Sequence, residues 1–132
     1  MTKVAVAGLG YWGPNLVRNF DELADLAWLV DLDPQLRDRF GGRYPDTKVT
    51  DDLDEVLADD AVEAVVVATP VPTHYELAKR ALEAGKDVMV EKPPAMRQAE
   101  MDELVALAAE RGRVLMPGHL LLYNPGVVKL RS

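Results

Sequence analysis

The chain has 132 residues, of which 48% are hydrophobic and 28% charged, which is enough for one soluble globular domain of ordinary size. A net charge of −7 argues against a broad basic face for nucleic acid, and no apolar run reaches the roughly 18 residues that a membrane-spanning helix needs. Cysteine is absent, which excludes disulfides, thiolate metal ligands and cysteine nucleophiles, and His74 and His119 form no ligand pattern, so no metal site is expected.

In chain order, Lys3 to Ala7 reads as a strand that is apolar on both faces, as a covered parallel strand should be. The apolar stretch from Val4 to Leu9 is too short, and too poor in basic residues before it, to be a signal peptide, so the cytoplasm is the expected setting. Leu16, Val17, Phe20 and Leu23 then fall on one helical face. A second strand is predicted over Ala27 to Asp31. A short helix follows over Pro34 to Phe40, capped by Asp33 and ending near Gly41-Gly42. Lys48 to Thr50 reads as a weak third strand, and Asp52 to Ala58 as a brief helix.

Ala64 to Ala68 is the clearest strand in the chain. Thr73 offers an N-cap to a helix that turns Leu77, Ala78, Ala81 and Leu82 inward and ends at Gly85. Asp87 to Val90 is the fifth strand. Met101, Leu104, Val105 and Ala108 define the next buried stripe, which stops at Gly112, and Arg113 to Met116 is the sixth strand. This alternation predicts an α/β doubly wound fold, a parallel sheet with helices on both faces.

Gly8-Leu9-Gly10-Tyr11-Trp12-Gly13 is a full G-x-G-x-x-G between the first strand and the first helix. There the first glycine can turn tightly, the second lets the backbone approach a pyrophosphate, and the third brings the helix close to the sheet. The helix opening adds partial positive charge toward phosphates. Asp31 closes the second strand 18 residues after Gly13, near the spacing expected of a carboxylate that accepts from ribose hydroxyls, and Leu32 follows it. The plainer alternative is that Gly10 and Gly13 relieve packing while Asp31 starts a turn. A carboxylate there would repel a 2′-phosphate, and Arg37 lies a helical turn and a half further on, so NAD is expected over NADP. Tyr11 and Trp12 are candidates to flank the cofactor, with Trp12 open to a core role instead.

Three further stretches are more specific. They are Ala-Thr-Pro-Val-Pro-Thr-His at 68–74, Ala-Gly-Lys-Asp-Val-Met-Val-Glu-Lys-Pro at 84–93 and Gly-His-Leu-Leu-Leu-Tyr-Asn-Pro at 118–125. With the glycine loop, they resemble the Gfo/Idh/MocA oxidoreductases over essentially the whole chain. Gly-Tyr-Trp-Gly-Pro-Asn and the Tyr-Asn-Pro ending look most like the branch acting on nucleotide-linked sugars. The resemblance implies an NAD(P)-binding Rossmann domain over residues 1–117. Residues 118–132 would be a crossover toward a second, substrate-binding domain, which is expected to be missing from this chain. Cofactor binding without turnover is then expected of these 132 residues, with a sugar-type substrate engaged only when the second domain is present.

The same resemblance places Lys92 beside the nicotinamide as the catalytic residue and lets Glu91 help hold the nearby ribose. Chemically, an ammonium can stabilise the oxyanion that develops as an alcohol loses hydride, or relay its proton. The alternative for Lys92 is a solvated charge at a strand end. Thr69 and Pro70 end the fourth strand at the binding edge, where their backbone can lie along the cofactor or merely turn. His74 has a family match and an equal reading as a packing residue. His119 and Asn124 are lesser candidates on the crossover, and Leu120 to Tyr123 is an apolar run that would favour a homo-oligomer if uncovered. Two alternatives stay open at this point: a stand-alone module that binds or senses a dinucleotide without catalysis, and a methyltransferase with a sulfonium cofactor, which Gly13 and the Lys-Pro step fit poorly.

Overall fold

Short β-branched runs alternate with amphipathic stretches, and the backbone follows them. The computed structural model describes residues 2–10, 13–91 and 94–117. The elements are β1 (Lys3–Ala7), α1 (Gly13–Leu23), β2 (Asp25–Val30), α2 (Pro34–Arg43), β3 (Lys48–Thr50), α3 (Leu53–Leu57) and β4 (Ala64–Val67). A single 3-10 turn (Val71–Thr73) then leads into α4 (His74–Glu83), followed by β5 (Asp87–Val90), α5 (Gln98–Arg111) and β6 (Leu115–Pro117).

The strands form one parallel sheet in the order β3-β2-β1-β4-β5-β6. From β1 the chain winds outward to β3, then jumps back to β4 on the other side of β1. That reversal leaves a crevice beyond the carboxyl ends of β1 and β4, the position where open α/β sheets bind ligands. Strand alternation divides the core between two faces. Val4, Val6 and Val66 pack toward α1 and α2 with Leu16, Val17, Phe20 and Phe40. Ala5, Val65 and Val67 pack toward α3, α4 and α5 with Val56, Ala81, Leu82 and Leu104. The Val65-Val66-Val67 run is wholly buried, each side chain contributing about 1.5–3 kcal/mol, which anchors the centre of the sheet.

The β1–β2 ladder is irregular at one point. Val4 pairs with Leu26 but Ala5 pairs with Trp28, so Ala27 is an extra residue on β2. β2 accordingly starts at Asp25 rather than Ala27, and it ends at Val30, which leaves Asp31 just past the strand.

Several local expectations are corrected. α2 does not stop at Gly41-Gly42 but continues to Arg43, because Phe40 is buried and the Tyr44 N–H closes the helix on the Phe40 carbonyl at 2.8 Å. The rings of Phe40 and Tyr44 also stack at 6.3 Å, and this anchoring outweighs the helix penalty of about 1 kcal/mol per glycine. Thr73 occupies the N-cap position of α4 but gives the helix no side-chain bond; its hydroxyl donates instead to the Pro70 carbonyl at 2.6 Å. Val105 is 52% exposed, while Leu104 and Ala108 are buried and Leu107 packs beside them, so the inward arc of α5 is rotated away from 105. β6 runs over Leu115–Pro117 rather than starting at Arg113. The expected crossover, residues 118–132 with His119, Asn124 and the Leu120 to Tyr123 run, lies outside the described residues. Among the described residues no helix is long and apolar enough to cross a membrane.

Candidate functional site

The three glycines of the loop do different things. Gly8 has φ +100°, and a Cβ there would lie 2.6 Å from the Ala68 carbonyl carbon, so only glycine lets β1 turn against the end of β4. A Cβ on Gly13 would lie 2.5 Å from the Gly8 carbonyl oxygen, so the start of α1 rests on the loop itself. Gly10 is different. Among the described residues a Cβ on it would meet nothing within 4 Å, so none of their atoms explains the missing side chain. The space over Gly10 is the room that a diphosphate needs to reach the backbone, and the loop fits a dinucleotide on that ground.

Asp31 joins the loop from the next strand. Its Oδ2 accepts from the Leu9 N–H at 2.7 Å and its Oδ1 from the Asp33 N–H at 2.8 Å. A carboxylate has about four acceptor positions, so about two stay available for the hydroxyls of a ribose. Asp33 in turn accepts from the Gln35 N–H at 2.9 Å and caps α2, as its position before Pro34 predicts. Leu9 itself is wholly buried in the core under α1, and its amide serves Asp31. Leu32 stands 82% exposed at the mouth of the same space.

Arg37 follows Asp31 by six residues. It lies in the first turn of α2 and reaches back, Nη1 donating to the carbonyls of Asp31 and Leu32, both at 2.9 Å. The guanidinium thus clamps the backbone on which the Asp31 carboxylate is mounted.

These groups open onto a cleft of about 870 Å³, within the usual range of small-molecule sites. Gly8, Gly10, Asp31 and Leu32 line one part of it, Asp51 to Leu53 another, and Thr69, Pro70 and His74 a third, with Glu91 at the end of β5. The 69–74 segment is held by its own bonds. Thr69 and Thr73 share a hydroxyl–hydroxyl bond of 2.6 Å, and the His74 ring Nε2 donates to the Thr69 carbonyl at 2.6 Å. His74 is only 1% exposed, so it acts on the cleft through Thr69. Glu91 is buried to 6% exposure, and its amide completes the β5 ladder on the Val67 carbonyl at 3.1 Å.

The structure therefore brings Gly8, Gly10, Asp31, Leu32, Thr69, Pro70, His74 and Glu91 to one cleft, with Leu9 and Gly13 beneath it. Tyr11, Trp12 and Lys92 lie outside the described residues. Sequence reasoning missed Asp51, Leu53, Leu77 and Arg80, which also line the cleft. They come from the link after β3, from α3 and from α4, elements brought together only by the fold, and no local motif marks that.

A family model described as the Gfo/Idh/MocA oxidoreductase family, NAD-binding Rossmann fold, matches residues 2–119. The 2,7-anhydro-N-acetylneuraminate hydratase of Mediterraneibacter gnavus is 36% identical over 93% of this chain and 33% of its own length. The UDP-N-acetylglucosamine 3-dehydrogenase of Acidithiobacillus ferrooxidans is 29% identical over 98% of this chain and 41% of its own. Among solved structures, GenD2 from gentamicin A biosynthesis in complex with NAD superposes with a TM-score of 0.86 at 39% identity, over 97% of this chain and 37% of GenD2. The chain thus spans about a third of the length of such relatives, 33% of the hydratase and 37% of GenD2. By this match the chain belongs to the Gfo/Idh/MocA oxidoreductase family and carries that family's NAD-binding Rossmann fold.

Proposed function

We propose that this chain is the cofactor half of a dehydrogenase that moves a hydride between NAD and a sugar or polyol derivative, with a nucleotide-linked sugar as the favoured class. The observation that carries the reading is the pairing of an open Gly10 with an Asp31 carboxylate bonded to the next amide of the same loop. Amides at the opening of α1 would hold the diphosphate, and Asp31 the adenosine ribose. Thr69, Pro70 and His74 would wall the cleft, and Glu91 would hold the second ribose. NAD is preferred to NADP because a 2′-phosphate would meet Asp31, while Arg37 is already engaged on two backbone carbonyls.

Bound nicotinamide supplies or accepts the hydride. Lys92 is proposed to stabilise the substrate oxygen or relay its proton, as the Glu-Lys-Pro element of the family resemblance implies. Support for a sugar-type substrate comes from relatives whose names describe an acylated sugar acid and a nucleotide sugar. Those relatives devote the larger part of their length to segments outside the match, so the 132 residues are proposed to bind cofactor without turning over a sugar.

Calorimetric titration with NADH tests the first part: saturable one-to-one binding, weaker for NADPH, is expected. Absence of binding would remove the reading. Hydride transfer to a sugar by the verified 132-residue chain would remove the claim that turnover needs more.

A further inference from the structure

The cleft has lining that the diphosphate and ribose assignments do not use. Besides Asp31 it is lined by Leu32, Leu53 and Leu77, an apolar slot of the kind a flat base fills, and by Arg80. Arg80 is one helical turn after Leu77 and shares its face of α4. Its Nη2 is bonded to Oδ1 of Asp54 in the first turn of α3, while its side chain is 33% exposed and that of Asp54 73% exposed. An ion pair with so exposed a partner adds little stability, so the pairing matters more for where it fixes the guanidinium plane. Charge points the same way. Among the described residues lining the cleft, Arg80 is the one lysine or arginine, set against six carboxylate side chains.

We propose that Arg80 is a base-binding residue, its guanidinium held edge-on by Asp54 and its face presented to the purine. The proposal rests on the reading that the cleft takes NAD. A guanidinium is planar, weakly hydrated and stacks on π-systems, and an acceptor at its edge leaves both faces free. The apolar slot removes water from one side of the base, and Arg80 then covers the rest. Its charge also offsets the carboxylates that would otherwise oppose an anionic ligand.

The test titrates the full chain and its variants with NADH and with ADP-ribose. Arg80→Met keeps the aliphatic stem and loses the plane, and it should raise both dissociation constants by about 3- to 30-fold, the scale of a desolvated cation–π contact. Asp54→Asn removes the ionic partner and keeps the plane, so its effect should stay below about threefold on the same scale. Arg80→Lys keeps the charge alone and should recover less than half of the loss. Thermal midpoints read in parallel should be unchanged, which separates binding from folding. Full recovery by lysine, equal losses in Arg80→Met and Asp54→Asn, or ADP-ribose binding unchanged in Arg80→Met would each overturn the proposal. A wild-type chain that binds neither ligand would instead bring down the cofactor reading beneath it.

Discussion

The Leu9 amide donates to the Asp31 carboxylate at 2.7 Å, a bond that ties the glycine loop to the end of β2 across 22 residues of sequence. It fixes the loop before any ligand arrives. A charge-assisted bond of this kind contributes about 1.5–3 kcal/mol. Asp31→Asn turns one acceptor oxygen into a donor and removes the charge. NADH affinity should fall by about 10- to 100-fold, and the preference over NADPH should narrow, both read by calorimetric titration.

The glycines separate binding from folding. Gly10→Ala should keep the wild-type thermal midpoint, because its Cβ enters open space, and should lose most NADH affinity. Gly13→Ala should do the reverse, since its Cβ would strike the Gly8 carbonyl oxygen at 2.5 Å; overpacking of about 1–3 kcal/mol should appear as a lower midpoint. Equal binding loss in both variants with equal midpoints would contradict this division.

Asp59 couples stability to acid. The Trp28 indole N–H donates to it at 2.9 Å and the Ala61 amide at 3.0 Å, and these bonds hold its carboxyl below the ordinary value of 3.8, the indole contributing most. The native state therefore keeps Asp59 ionised more readily than the unfolded chain does. That contribution is present above the ordinary value and is lost as pH falls through the lower native one. Acid denaturation followed by Trp fluorescence should show wild type ahead of Asp59→Asn at neutral pH, with the gap closing at the acid end.

Lys86 is 4% exposed, and its ammonium donates to the Asp59 carbonyl at 2.9 Å, at the end of the sheet away from the cleft. Lys86→Ala should cost about 1–3 kcal/mol in urea denaturation, from the lost bond and the lost packing of its stem. NADH affinity should not change.

The fold was largely legible because its strands are short β-branched runs between turn residues, and Val65-Val66-Val67 leaves little other choice. The loop was legible because its chemistry is local. What stayed hidden depended on contacts distant in sequence. Gly41-Gly42 looks like a stop until Phe40 and Tyr44 are seen to stack. Thr73 looks like a cap until its hydroxyl is seen to serve Pro70. Arg37 looks remote until α2 folds it back onto the Asp31 carbonyl, and His74 reads as a ligand residue until its burial shows that it works through Thr69.

The extra residue in β2 has a reach beyond its own strand. Lys3 and Val4 face partners 22 positions ahead, but after Ala27 the offset becomes 23, and continuing that count from Gly8 lands on residue 31. The sheet thus works as a ruler, Ala27 is the notch where its count steps, and the residues beyond the notch set where the acid falls. Losing Ala27 itself would only close the notch and leave the acid opposite Gly8, whereas losing Leu29 beyond it would carry Leu32 into that place and swing the carboxylate to the opposite side. A protein so altered would keep every residue named at the mouth of the crevice and still be unable to grasp its ligand.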